Sequence, residues 1–237
     1  GIQSIPTSFM AAENTLTSLH AATEVTPTAL PPELYPNIDH IVTEDDTPVD
    51  SIFSEKQQRL LTEPLFSSWD GPDAQKRFVA LANVGMFFGI QKPPYVPDVL
   101  LSLDVELPSE LWPRRNRSYF VWEYGKPPGV VIEIVSNREG EEDTGKLTGY
   151  ANVGVKYYVI FDPENWLSDR TVRAYQLDAT KYKELAAPFW FSGVSLGLQL
   201  WTGPYEGRRE TWLRWIDGDG QLIPTGAERA EQERERA

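Results

Sequence analysis

Hydrophobic positions along the chain fall mostly into short β-branched and aromatic runs separated by polar turns. The clearest is V-I-E-I-V-S, Val131 to Ser136, bounded by Pro127-Pro128-Gly129 and by Asn137. A continuous run of Val and Ile of this length reads as a strand buried on both faces. Comparable runs span Phe78 to Phe88, Val96 to Leu103 and Lys156 to Pro163, with shorter ones at Thr171 to Leu177, Tyr182 to Leu185, Val194 to Trp201 and Thr211 to Asp217. Asp217-Gly218-Asp219-Gly220 has the composition of a turn.

Helical spacing appears in fewer places. From Ser54 to Phe66 the pattern predicts a helix with Ser54 as N-cap, an apolar stripe at Leu60, Leu61 and Leu65, and an end near Pro64. Glu141 to Ala151 is a second helix, although Gly145 and Gly149 each cost about 1 kcal/mol relative to Ala, so tertiary packing has to hold it. Gly154 suits its C-terminal cap. The final A-E-R-A-E-Q-E-R-E-R-A offers only Ala at heptad positions, which predicts a solvated polar helix over 226–237 rather than a zipper. Residues 1–35, rich in Ser, Thr, Ala and Pro, read as a mobile N-terminal arm, which leaves 36–225 as one domain. The length of 237 residues with 41% hydrophobic content is sufficient for one such core.

Composition narrows the chemistry. The absence of cysteine excludes disulfide frameworks, thiolate metal sites and cysteine nucleophiles, and agrees with a reducing compartment. His20 and His40 are the only histidines. No apolar run approaches the roughly 20 residues that span a bilayer, and the opening G-I-Q-S-I-P-T-S-F lacks a basic and apolar signal, so a cytoplasmic protein is expected. A net charge of −13 argues against the whole surface serving as a nucleic-acid platform. Contact with a polyanion then requires bound cations or a local basic patch, for which Arg114, Arg115 and Arg117, flanked by Trp112 and Tyr119, are the candidates. Five of the eight tryptophans follow residue 165, and this cluster suggests sheet packing or a homodimer interface.

Two strands carry acids inside apolar runs: Asp98 in P-D-V-L-L-S-L and Glu133 in V-I-E-I-V-S. An ionised carboxylate buried in such a run costs several kcal/mol unless compensated. Neighbouring strands lie about 4.8 Å apart, so two carboxylates on one face can share a divalent cation, which also lets acids work on a polyanion. Glu142, Lys146 and Tyr150 are spaced one turn apart and share a helix face. A lysine there can contact a scissile phosphate or stabilise developing charge. Gly193 to Gly197 fits G-x-S-x-G, but the following L-Q-L-W alternates like a strand and both histidines precede it, so an α/β-hydrolase is rejected.

The order P-D-V, V-I-E-I-V-S-N-R, then K-L-T-G-Y-A-N-V-G-V-K-Y-Y-V-I-F-D-P resembles the Uma-type (Uma-two) restriction endonucleases of the PD-(D/E)xK nuclease superfamily, roughly from Ile41 to Asp162. The resemblance implies an α/β (α+β), restriction endonuclease-like mixed sheet flanked by helices and a DNA endonuclease dependent on Mg²⁺ or Mn²⁺. It implies Asp98 and Glu133 as metal ligands, the Ile134 carbonyl as a further donor, and Lys146 as the catalytic lysine. The superfamily's usual lysine position is occupied by Val135. Glu142 fills the acid position that the family commonly has four residues before the lysine, and the resemblance makes Glu55 and Glu63 the candidates for an assisting acid on the first helix. The missing strand lysine and the acidity suggest an alternative, a catalytically inactive nuclease-fold module for binding or assembly.

Overall fold

A computed structural model describes residues 31–34, 51–89 and 91–237. The expected arm over 1–35 lies outside these residues except for a single 3₁₀ turn at Pro32–Leu34. All that follows concerns the unit Thr43–Ala237.

The elements are α1 (Ile52–Ser68), β1 (Phe78–Ala82), β2 (Met86–Phe87), β3 (Val99–Leu103), β4 (Tyr119–Phe120), the one-turn α2 (Val121–Tyr124), β5 (Val130–Ile134), α3 (Gly145–Val153), β6 (Tyr157–Phe161), β7 (Val172–Asp178), β8 (Lys181–Leu185), β9 (Phe189–Phe191), β10 (Leu196–Tyr205), β11 (Arg208–Ile216) and α4 (Gly226–Arg236). A six-stranded sheet runs in the order β1-β3-β5-β6-β7-β8. Only β5 and β6 are parallel in it, and α3 is the crossover that a parallel pair requires. This is a mixed sheet flanked by helices, as a restriction endonuclease-like fold demands.

Strand alternation divides the sheet between two cores. Val130, Ile132 and Ile134, with Val99, Leu101, Val159 and Phe161, face Leu61 and Leu65 of α1 and the inner side of a second sheet, β11-β10-β9. Val131, Val135, Leu100, Tyr158 and Ile160 face Tyr150 of α3, together with Met86 and Tyr119 of a two-stranded ribbon, β2-β4. Every residue of β5 is buried, as the run predicted, and by parity Glu133 lies on the α3 side.

Several boundaries differ from expectation for identifiable reasons. The N-cap of α1 is Ser51, whose side chain accepts from Ser54 N at 3.1 Å. Pro64 sits inside the helix rather than ending it, because burial of Pro64 and Leu65 in the core outweighs the lost amide donor. The run Phe78 to Phe88 is broken by Asn83 at φ 56°, so Met86–Phe87 leaves the main sheet for the ribbon. The expected start at Glu141 moves to Gly145 because Glu141 itself has φ 58°. β10 and β11 are longer than their apolar runs, since left-handed Glu206 and Gly207 close a tight hairpin between them. The strand β9 had no counterpart in the sequence reading. Gly197 of the G-x-S-x-G match is a packing glycine: a Cβ there would lie 2.4 Å from the Phe189 carbonyl oxygen.

The expected polar tail is the helix α4. It buries none of its residues, yet its start is anchored: Thr225 and Glu228 form a capping box, Gly226 N donates to Glu63 Oε1 at 2.9 Å, and Arg214 bonds Glu228 at 2.5 Å.

Candidate active site

β3 and β5 are antiparallel with Val99 opposite Ile132, and extending that register by one residue sets Asp98 opposite Glu133 on the same face. The Ile134 N–H donates to Asp98 Oδ2 at 2.6 Å. Glu133 is only 2% exposed. Burial first, and then the facing Glu133 carboxylate, push the Asp98 carboxyl well above the usual carboxylate range; the Ile134 N–H opposes that shift. A buried acid and a half-buried one thus face each other across neighbouring strands.

The helix α3 brings a cation and a phenol to the same place. Lys146 Nζ lies 3.8 Å from Glu133 Oε2 and 3.9 Å from Glu142 Oε1, and Tyr150 Oη donates to Glu133 Oε1 at 2.5 Å. Burial and Glu133 raise the phenols of both Tyr150 and Tyr158, so each stays a donor at neutral pH. Tyr158 Oη donates to the Glu142 main-chain oxygen at 2.7 Å and fixes the turn that leads into α3. Burial likewise raises the Glu142 carboxyl, with Lys146 opposing it. Glu142 Oε2 is buried without a hydrogen-bond partner. Next to it, Arg173 holds Asp143 at 3.2 Å.

The structure therefore gathers Asp98, Glu133, Glu142, Lys146 and Tyr150. Neither first-helix acid joins them. Glu55 is exposed and paired with Arg59, and Glu63 bonds Ser67 and Gly226 N. The α1 side chain that reaches the site is Gln58, with Nε2 3.5 Å from Asp98 Oδ1 and Oε1 accepting from Asn83 Nδ2 at 3.1 Å. Sequence reasoning missed Gln58 and Asn83. Its one available signal was position: Gln58 lies three residues before Leu61, on the buried stripe. Val135, at the place of the superfamily lysine, is buried and apolar.

Arg114, Arg115 and Arg117 are exposed on a separate 3₁₀ turn. Trp112 beside them is 83% exposed, whereas Tyr119 cannot stack on a ligand: it is fully buried, bonded to Ser102 and to the Lys126 carbonyl, and stacked on Tyr124 at 4.3 Å. Of the C-terminal tryptophans, Trp212 and Trp215 belong to the core. Asp162, the acid of the Asp-Pro signature, is also structural, since it accepts from Trp166 N and Leu167 N at 2.8 Å each.

The donor chemistry suits a hard divalent cation. Half-buried Asp98 faces buried Glu133, buried Glu142 has an unpartnered oxygen beside the same lysine, and oxygen ligands are those Mg²⁺ and Mn²⁺ prefer. Among the described residues no group of three or more His, Cys, Asp or Glu is already arranged as a cation cage. The fit therefore rests on the Asp98–Glu133 pair with main-chain oxygen and solvent completing the shell. No helix among the described residues is long and apolar enough to cross a membrane.

No curated protein matches the chain. A family model does: residues 42–203, more than half of the chain and inclusive of every site residue above, match Uma2, described as "Putative restriction endonuclease", and the chain belongs to that family.

Proposed function

We propose that the protein is a metal-dependent endonuclease that hydrolyses DNA phosphodiester bonds. The observation that carries this reading is the facing of half-buried Asp98 and buried Glu133 on one side of the sheet, with Lys146 on the flank of Glu133. Asp98 and Glu133 would hold Mg²⁺ or Mn²⁺, and the Ile134 carbonyl would be a further donor. When bound, the cation neutralises phosphate charge and lowers the pKa of an attacking water. Asp98 is steadied by the Ile134 N–H and by Gln58, and Glu133 by Tyr150. The ammonium of Lys146, held between Glu133 and Glu142, donates to the scissile phosphate and stabilises charge that develops there. A homodimer that addresses both strands belongs to the same reading.

The test is cleavage of supercoiled plasmid with Mg²⁺ or Mn²⁺, beside EDTA, Asp98→Asn and Lys146→Ala. Nicking that requires the cation and is lost in Asp98→Asn is the expected result. Cutting that persists unchanged in Asp98→Asn overturns the assignment. Sedimentation of the free protein, showing only monomer at concentrations that cleave, removes the dimer.

A further inference from the structure

The ribbon β2-β4 presents an unusual outer face. Its inner residues, Met86 and Tyr119, are fully buried in the core. Alternation turns Phe87 and Phe120 the other way, where their rings stack at 5.0 Å. Trp122 continues the row, 5.1 Å from Phe120 and 51% exposed. The solvent side of a short ribbon is ordinarily polar, so three contiguous aromatic rings, Phe87 and Phe120 half-buried and Trp122 exposed, call for an occupant.

Charge indicates which occupant. Arg114, Arg115 and Arg117 immediately precede β4, are exposed, and make no ion pair with a carboxylate among the described residues. In a chain of net charge −13, where Arg59, Arg173 and Arg214 each bond an acid, three guanidiniums without an acid partner, three to six residues before Phe120, favour a polyanion with flat apolar faces, although Arg117 also donates its Nε–H to the Trp112 carbonyl. A second copy meeting this strip across a two-fold axis would set its own three guanidiniums against these, so the strip does not suit a dimer contact. The ribbon is also joined to the candidate active site. Tyr95 exchanges main-chain bonds with Met86 at 2.7 and 3.1 Å, and its ring lies 4.9 Å from that of Tyr150, which holds Glu133.

We propose that Phe87, Phe120 and Trp122 form a stacking platform for unpaired nucleobases, with Arg114, Arg115 and Arg117 taking the adjoining phosphates. The substrate is then engaged as a single-stranded or locally opened segment. This rests on the nuclease reading and specifies its substrate. Stacking suits such a segment because every base offers a π-face once it leaves the duplex.

The test measures binding of a fluorescein-labelled oligothymidylate and of a hairpin duplex of equal length by anisotropy, with EDTA present so that nothing is cut. Wild type is expected to prefer the single strand. Phe120→Ala and Trp122→Ala should each weaken single-strand binding roughly tenfold or more while duplex binding changes little. Phe120→Leu, which keeps an apolar side chain and the fold, should show the same loss. Replacing Arg114, Arg115 and Arg117 together by Ala should reduce the slope of log affinity against log salt by about 2. Unchanged single-strand affinity in Phe120→Leu and Trp122→Ala overturns the platform. So does sedimentation that shows a dimer lost in Trp122→Ala without DNA, which would assign the strip to a second copy. Plasmid cleavage with Mg²⁺ keeps the two readings apart: wild type that prefers the single strand but does not cleave sinks the nuclease reading alone, whereas wild type that cleaves while the aromatic variants bind normally sinks the platform alone.

Discussion

Tyr150 Oη donates to Oε1 of Glu133 at 2.5 Å, while Lys146 stands 3.8 Å from Oε2, so the two oxygens of one buried carboxylate have different partners. The phenol fixes the rotation of that carboxylate and hence the direction of its remaining lone pairs. Outer partners of metal-binding groups typically contribute 10- to 100-fold in metal affinity. Tyr150→Phe, which keeps the ring contacts with Tyr95 and Tyr158, should therefore weaken Mn²⁺ binding by about that factor in calorimetry. An unchanged affinity would show that Glu133 is oriented by its strand alone.

How much of this site could be read from the chain depends on how loudly each residue breaks its local pattern. Glu133 is the one acid in a run of Val and Ile, and Asp98 follows Pro97 at the mouth of another, so both stand out. Gln58 is neutral and sits in an ordinary amphipathic helix, where a polar residue signals nothing until the packing shows it 4% exposed. Asn83 is invisible for a different reason: its left-handed backbone, which ends β1 beside Asp98, is a local conformation that hydrophobic periodicity does not encode. Tyr119 reads as a surface aromatic because it adjoins three arginines, yet the ribbon turns it inward. The glycine at 149 looks like a helix defect and is a seat: a Cβ there would lie 1.9 Å from Tyr95 Oη. The mixed sheet was recoverable because each of its central strands is a long apolar run, whereas β9 is three residues set apart by tertiary packing.

The edge strand of the second sheet, β11, is capped at Leu213 by one buried side chain. Gln57 Nε2 donates to the Leu213 carbonyl and its Oε1 accepts from Leu213 N, both at 2.9 Å, so an α1 side chain takes the part of a neighbouring strand for β11. Gln57→Ala would leave a buried donor and a buried acceptor unsatisfied, at roughly 1–3 kcal/mol each before water relieves either. A loss of about 2–4 kcal/mol in urea unfolding is expected. A change within about 0.5 kcal/mol, ordinary for surface positions, would show that water replaces the amide at no cost.

Arg214 is 1% exposed, bonded to Glu228 and to the Ile223 carbonyl, with its guanidinium 4.5 Å from the Trp201 ring centre. Partial burial raises the Glu228 carboxyl, but Arg214 and the Thr225 N–H together outweigh it and hold the group below its ordinary value near 4.5. A depressed folded-state pKa contributes stability that is present above the unfolded value and lost as pH falls through the folded one. Unfolding free energy should therefore decline below about pH 4.5, and Glu228→Gln should flatten that part of the profile. At neutral pH the substitution should cost less than the roughly 3–5 kcal/mol of a fully buried pair, because Glu228 remains partly solvated. Identical acid profiles for the two proteins would place the acid-sensitive group elsewhere.

Lys146 separates two roles that are usually lost together. It lies within 4 Å of Glu133 and Glu142, so its positive charge competes with any cation those acids attract, yet the proposed function has it donate to the scissile phosphate. Removing it should therefore leave divalent-cation binding intact or tighter while cleavage falls, since loss of a positioned charge-stabilising group costs about 10²–10³-fold. Lys146→Arg retains charge but not the compact ammonium, and should recover only part of the rate. Single-turnover cleavage at saturating Mn²⁺, read beside calorimetric Mn²⁺ affinity, distinguishes the roles. Cation affinity lost in parallel with cleavage would mean that Lys146 acts by organising Glu133, and normal cleavage in Lys146→Ala would remove it from the chemistry altogether.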